Sequence, residues 1–142
     1  MTPEPDGRPA AAGSSPPWPG FTPAEVQYIG EFETARLGTI DRLGRPHVVP
    51  VGYHFESGTG RFVVGGPHLL HTAKYRHVAS GRVAVALAID DRLRSGLARG
   101  IVIHGKATLA DEGGRLIHPQ FPPAAIWIVP TTAHSWRVNK DD

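Results

Sequence analysis

Apolar positions in this chain change period along the sequence, and each change marks an element. Between Phe21 and Glu33, Val26, Ile29 and Phe32 recur three apart, the stripe of an amphipathic helix. Thr22-Pro23-Ala24-Glu25 sets its start, with Thr22 as N-cap, Pro23 at the first helical position and Glu25 reaching back in a capping box. Phe21 and Val26 have the spacing of a hydrophobic staple. The pattern predicts a helix over Pro23–Glu33.

The stretch from Ala35 to Phe55 then switches to strand chemistry. Arg36 to Asp41 and His47 to Phe55 are rich in β-branched, aromatic and small residues. Asp41-Arg42-Leu43-Gly44 between them supplies a turn: an Asp that can bond its own backbone and a Gly free to take positive φ. Pro50 sits in the middle of the second run, where a central strand should exclude it. The strand therefore bulges or lies at an edge there. Two readings follow: an edge that binds nothing, or an edge whose free backbone groups near Val49 and Val51 meet a planar heterocycle.

The rest of the pattern is short and strand-rich. Arg61 to Gly65 predicts a third strand, broken by Gly66-Pro67, and Leu70 to Ser80 a second helix. Arg82 to Ile89 reads VAVALAI with no polar alternation, which predicts a strand buried on both faces. Arg92 to Arg99 reads as a polar loop. Gly100 to Leu109 is a fifth strand with Ile101, Ile103 and Gly105 on one face. Ala125–Val129 and Ser135–Val138 close the series. Strands outnumber helices and connections are short, so the fold class is mostly β: a six- or seven-stranded antiparallel barrel closed by short helices.

Composition divides the chain. Residues 1–20 are Pro, Ala, Gly and Ser with Trp18 as the main large apolar group, and predict a flexible arm; residues 21–142 form one domain. The chain has 142 residues and a net charge of +2, too little to argue for nucleic acid and compatible with an anionic small ligand. It has no cysteine, which excludes disulfides, thiolate nucleophiles and Cys-based zinc sites. No apolar run approaches the ~20 residues of a membrane span, and no secretory signal is visible. A cytoplasmic protein is expected.

Candidate chemistry is sparse. His68 and His71 lie three apart without a carboxylate at ligand spacing, so no metal is expected. No Ser, Thr or Cys occupies a nucleophile motif. The pairs Asp90-Asp91, Asp111-Glu112 and Asp141-Asp142 read as solvated loop and tail. A residue-driven hydrolase is poorly supported, and no side chain is assigned a catalytic role. The most informative polar cluster is Thr72-Ala73-Lys74-Tyr75-Arg76-His77, which opens a helix after the glycine-bearing strand end Gly65-Gly66. A hydroxyl and an ammonium beside helix-start amides suit a phosphate; the alternative is a solvated helix face.

Five segments in order, RLGTID…GRPHVVPVGY, HTAKYRHV, RVAVALAIDD, RGIVIHGKATL and SWRV, resemble the pyridoxamine 5′-phosphate oxidase-like split β-barrel family, and most closely its members that use the deazaflavin coenzyme F420. The resemblance spans Phe21 to about Val138. It implies a homodimer with the cofactor in a groove between subunits and a small-molecule substrate. It further implies that Val49, Pro50 and Val51 run beside the tricyclic ring, and that Lys74 binds phosphate, with Gly65, Thr72 and Ala73 around it. His77 stands where relatives often carry asparagine. The segment after Gly114 is short beside many relatives, which implies a different substrate wall. The expected function is hydride transfer between F420 and a small organic substrate, with the cofactor carrying the chemistry. An FMN enzyme, or a non-catalytic module holding flavin, F420 or haem, stands as the alternative.

Overall fold

The computed structural model describes residues 18–140. The expected arm therefore lies outside the described residues except for its end, where Trp18 packs edge-on against Phe21 with ring centroids 4.8 Å apart. The elements run α1 (Pro23–Gly30), β1 (Thr34–Ile40), β2 (Pro46–Glu56), β3 (Arg61–Gly65), α2 (Ala73–Ala79), β4 (Ala84–Arg92), β5 (Ala98–Ala110) and β6 (Ala125–Trp136). The strands close a barrel in the order β1-β2-β3-β6-β5-β4, antiparallel at every seam.

Helix α1 begins as the capping box dictates. The Thr22 amide donates to Glu25 Oε1 at 2.9 Å, and the Glu25 amide to Thr22 Oγ1 at 3.2 Å. It stops at Gly30, three residues earlier than Glu33. Its inward side is Tyr28 and Ile29, both fully buried, rather than the stripe of Val26, Ile29 and Phe32. Polar anchors hold the helix to the barrel. Ser135 donates to Glu25 Oε2 at 2.7 Å, Tyr28 Oη donates to Asp91 Oδ1 at 2.7 Å, and Tyr53 Oη donates to the Ile29 carbonyl at 2.5 Å. The second helix is also shorter than expected. A 3-10 turn at Leu69–His71 precedes it, and Thr72 separates the two as the N-cap of α2.

The Asp41 turn forms as its residues require. Asp41 Oδ1 accepts the amides of Leu43 and Arg45, each at 2.9 Å, and Gly44 takes φ +82°. Strand β2 then pairs with β1 along Pro46–Gly52, in continuous register and without a bulge at Pro50. It meets β3 only from Gly52 onward, opposite Gly65. Pro50 therefore lies on the half of β2 whose second side has no partner strand, the edge position that a residue lacking an amide hydrogen needs.

Strand β4 departs from expectation. Val85, Leu87 and Ile89 are buried, whereas Ala84, Ala86 and Ala88 face outward. The alternation exists but is written in residue size, so a hydropathy pattern misses it. Strand β4 also continues through Asp90 and Asp91, which are not loop solvation: Asp90 pairs with Arg36, and Asp91 takes Arg99 Nη2 at 2.6 Å as well as Tyr28. The polar loop shrinks to residues 93–97. The two final strands are one, β6, which crosses Pro130 by a register shift opposite His104 and Gly105.

The core is continuous inside the barrel. Phe62 is fully buried, with Phe21, Tyr53 and Phe55 rings at 6.0, 5.7 and 4.8 Å. Truncating Phe62→Ala removes the ring on which the others converge and should cost about 3–5 kcal/mol. Thr22→Ala, which removes one cap, should cost about 1 kcal/mol. Urea midpoints of the two variants should fall in that order; equal midpoints would contradict the packing described.

Candidate functional site

Lys74 is the feature with unspent chemistry. It stands in the first turn of α2, half-buried, and desolvation lowers its pKa. Among the described residues its ammonium makes no ion pair and no hydrogen bond. A half-buried cation without a counter-ion is poised for an anion. Thr72, two residues before, is already engaged: its hydroxyl donates to the Leu69 carbonyl at 2.6 Å and accepts the Tyr75 amide at 3.4 Å. Ala73 is half-buried and Gly65 is buried at the end of β3.

His77, one turn after Lys74, reaches the barrel instead. Its Nδ1 shares a hydrogen bond with Thr39 Oγ1 at 2.8 Å, and its ring lies 4.7 Å from that of His47. His47 Nε2 is 3.3 Å from Asp41 Oδ2, which also takes Arg45 Nε at 2.8 Å. Those bonds and the turn amides hold the Asp41 carboxyl far below the usual carboxylate range. The chain Arg45–Asp41–His47–His77–Thr39 thus fastens α2 to the first hairpin. Sequence spacing could not show it, because it joins positions up to 38 apart.

On β2, Val51 is buried, Val49 half-buried and Pro50 exposed. Pro50 shares its outward side with Gly52 two residues on. Beyond Gly52 opens a cleft of about 700 Å³ between the end of α1, the second half of β2 and residues 116–121, lined by Phe32, Glu33, His54, Phe55, His118 and Phe121 among others. None of these was picked out by sequence as a site residue; Phe32 was read only as part of the stripe of α1. The signal was the glycine content. Gly52 and Gly65 are cross-strand partners, and a Cβ on Gly65 would come within 3.0 Å of Gly114 Cα. A Cβ on Gly114 would lie 2.1 Å from the Pro122 carbonyl oxygen. Residues 113–124 can therefore seat directly on the sheet and wall the cleft. No group of three or more potential metal ligands occurs among the described residues.

Protonation of His77 is resisted, first by desolvation and next by the nearby His47. The unfolded chain takes up that proton more readily, so stability should fall as pH drops below about 6.5. Asp41 and Asp91 act lower: both bind protons less readily in the fold, so their contribution is complete above about pH 4 and declines beneath it. Melting temperatures measured from pH 8 to 5 should decline for the wild type and be flatter for His77→Asn. An identical slope would contradict the assignment.

No protein-family profile matches the chain. It is 31% identical over 123 residues to a 5a,11a-dehydrotetracycline/5a,11a-dehydrooxytetracycline reductase of Streptomyces rimosus, covering 85% of this chain and 86% of that protein. Its barrel is similar to that of a Listeria innocua protein provisionally assigned as a pyridoxamine 5′-phosphate oxidase, with TM-score 0.60, 14% identity and coverage of 78% and 93% of the two chains. It is also similar to an F420 reductase, with TM-score 0.55, 17% identity and coverage of 71% and 88%. With such a relative across most of both chains and this six-stranded barrel, the chain belongs to the pyridoxamine 5′-phosphate oxidase-like split β-barrel family.

Proposed function

We propose that this protein is a cytoplasmic oxidoreductase that binds coenzyme F420 in a groove between two copies of the chain and transfers hydride between it and a small organic substrate. The observation that carries the reading is Lys74, a half-buried ammonium without an anionic partner among the described residues. It suits the phosphate of a deazaflavin tail. The free side of β2 at Val49, Pro50 and Val51 suits the edge of a planar ring, since backbone groups there have no second strand to bond. Gly65, Thr72 and Ala73 would line the approach to Lys74, and His77 would hold α2 in place from behind. A reductase relative supports oxidoreductase chemistry, and an F420 reductase is among the proteins that share the fold. The bound cofactor would supply the hydride chemistry; the chain would bind, orient and exclude water.

The second copy has a specific surface to meet. The apolar runs Val83–Ile89 and Ala125–Val129 do not demand one, because Val85, Leu87, Ile89, Ala125, Ile126 and Ile128 are buried within a single barrel. What remains outside is a shallow groove of about 400 Å³ over Gly38, Val48, Ala84, Ala86 and Gly105, with Val48 65% exposed. A shallow apolar groove with His47, His104 and Lys106 at its margin suits a second copy of the chain.

Titration of the protein with F420, and separately with FMN, tests the reading. Lys74→Ala should weaken F420 binding ten-fold to a thousand-fold, equivalent to about 1.4–4 kcal/mol, with the melting temperature nearly unchanged. Added salt should weaken the wild type more than the variant. Arg92→Ala, which removes a guanidinium that donates to the Gly96 carbonyl of its own turn, should bind as the wild type does. Unaltered F420 affinity in Lys74→Ala would sink the assignment, and tighter binding of FMN than F420 would favour the flavin alternative.

A further inference from the structure

The cleft beyond Gly52 has a chemistry of its own. None of its lining residues is Lys or Arg, and one is Glu33. A phosphorylated or otherwise strongly anionic ligand would enter without a lysine or arginine to meet it and face a carboxylate, with only two imidazoles to offset its desolvation. The walls are instead apolar and aromatic: Ile29 and Phe32 from the end of α1, Phe55 from β2, and Ile117 and Phe121 from the glycine-seated loop. Such walls suit the flat faces of fused rings.

Among the polar groups of the cleft, one is pre-set. His118 Nδ1 accepts the Gln120 amide at 3.1 Å, so the neutral ring carries its proton on Nε2 and offers a donor. Its ring lies 5.1 Å from that of Phe121, tilted by 31°, which holds its plane. His54 is the other imidazole of the cleft. Donors at the edge of an aromatic slot match the carbonyl and phenolic oxygens along the edge of a polycycle.

Position completes the argument. Gly52 follows Val51 on β2 and shares the outward side of Pro50, two residues or about 7 Å away. A side chain at 52 would crowd Ile117, since a Cβ there already lies 3.1 Å from Ile117 Cγ2. The missing side chain lets Ile117 sit directly on β2, so the cleft wall begins two residues from Pro50.

We infer that this cleft is the subsite for the organic substrate, and that the substrate class is an unphosphorylated, fused-ring ketone or phenol, set by the Phe32, Phe55 and Phe121 walls and the His118 donor. The inference rests on the reading of the β2 edge as the cofactor's place. It separates this protein from an enzyme of pyridoxamine phosphate, whose phosphate the cleft would repel.

Alizarin, a dihydroxyanthraquinone dye, is the probe, followed by its absorbance on titration with the full chain in the absence of cofactor. The wild type should bind it. Gly52→Val, which fills the floor, should weaken binding at least ten-fold, and His118→Ala three- to ten-fold. His118→Ala should keep F420 affinity within two-fold, and Lys74→Ala should keep alizarin affinity within two-fold. Pyridoxine 5′-phosphate should not compete. If Gly52→Val does not fold, as judged by circular dichroism, His118→Ala carries the comparison. No binding by the wild type, equal binding by the folded variants, or competition by pyridoxine 5′-phosphate overturns the inference. Alizarin binding that responds to these changes, in a protein that does not bind F420, upholds the cleft and rejects the cofactor reading alone.

Discussion

Pro50 has no amide hydrogen, and the arrangement of β2 depends on that single absence. A strand in a closed barrel normally spends its backbone groups on both neighbours. Strand β2 does so only at Gly52: before it the strand pairs with β1 alone, and beyond it with β3 alone. The barrel is split along Pro46–Val51, and proline fits that open side without leaving an unmet donor. An exposed strand edge is ordinarily a liability for association. Here it lies between α2, which carries Lys74, and the cleft beyond Gly52, so the proposed ligand groups gather along one interrupted strand.

Two devices hold the flanks of that strand. On one side α2 is tied to the first hairpin through His77, Thr39, His47 and Asp41, a polar chain that does not include Lys74. On the other, α1 is pinned by Glu25, Tyr28 and the Tyr53 hydroxyl, and the loop after β5 is drawn onto the sheet by Gly52, Gly65 and Gly114. The first device is built from hydrogen bonds, the second from the lack of side chains. Both bring the chain close to β2, and the second sets Ile117 directly on Gly52.

Charge is divided accordingly. Among the described residues Lys74, on α2, makes no ion pair, whereas the cleft is lined by no Lys or Arg and by one carboxylate. In the proposed function that division sorts two ligands by chemistry: an anionic tail to one end, an uncharged polycycle to the other. Desolvation strengthens the sorting, because an unpaired charge is costly wherever water is excluded.

Local chemistry was legible in the sequence. The capping box at Thr22 and Glu25, the Asp41 turn with Gly44 and the edge placement of Pro50 follow from groups within a few residues of one another, and the structure keeps all three. The barrel class was legible too, from the count and spacing of strands. Missed were features in which the informative property is size or distance. Strand β4 alternates alanine against valine, leucine and isoleucine, which hydropathy reads as uniform. Strand β6 runs through Pro130 because a register shift absorbs it. Asp90 and Asp91 face partners 54 and 63 positions away. The cleft exists because glycines on β2, β3 and the loop after β5 meet in space. By itself the sequence determined turns, caps and strand content, since these depend on neighbours in the chain. Only the tertiary structure decided which side of each strand is open and which charges lack a partner, since those depend on residues that meet only when the barrel closes.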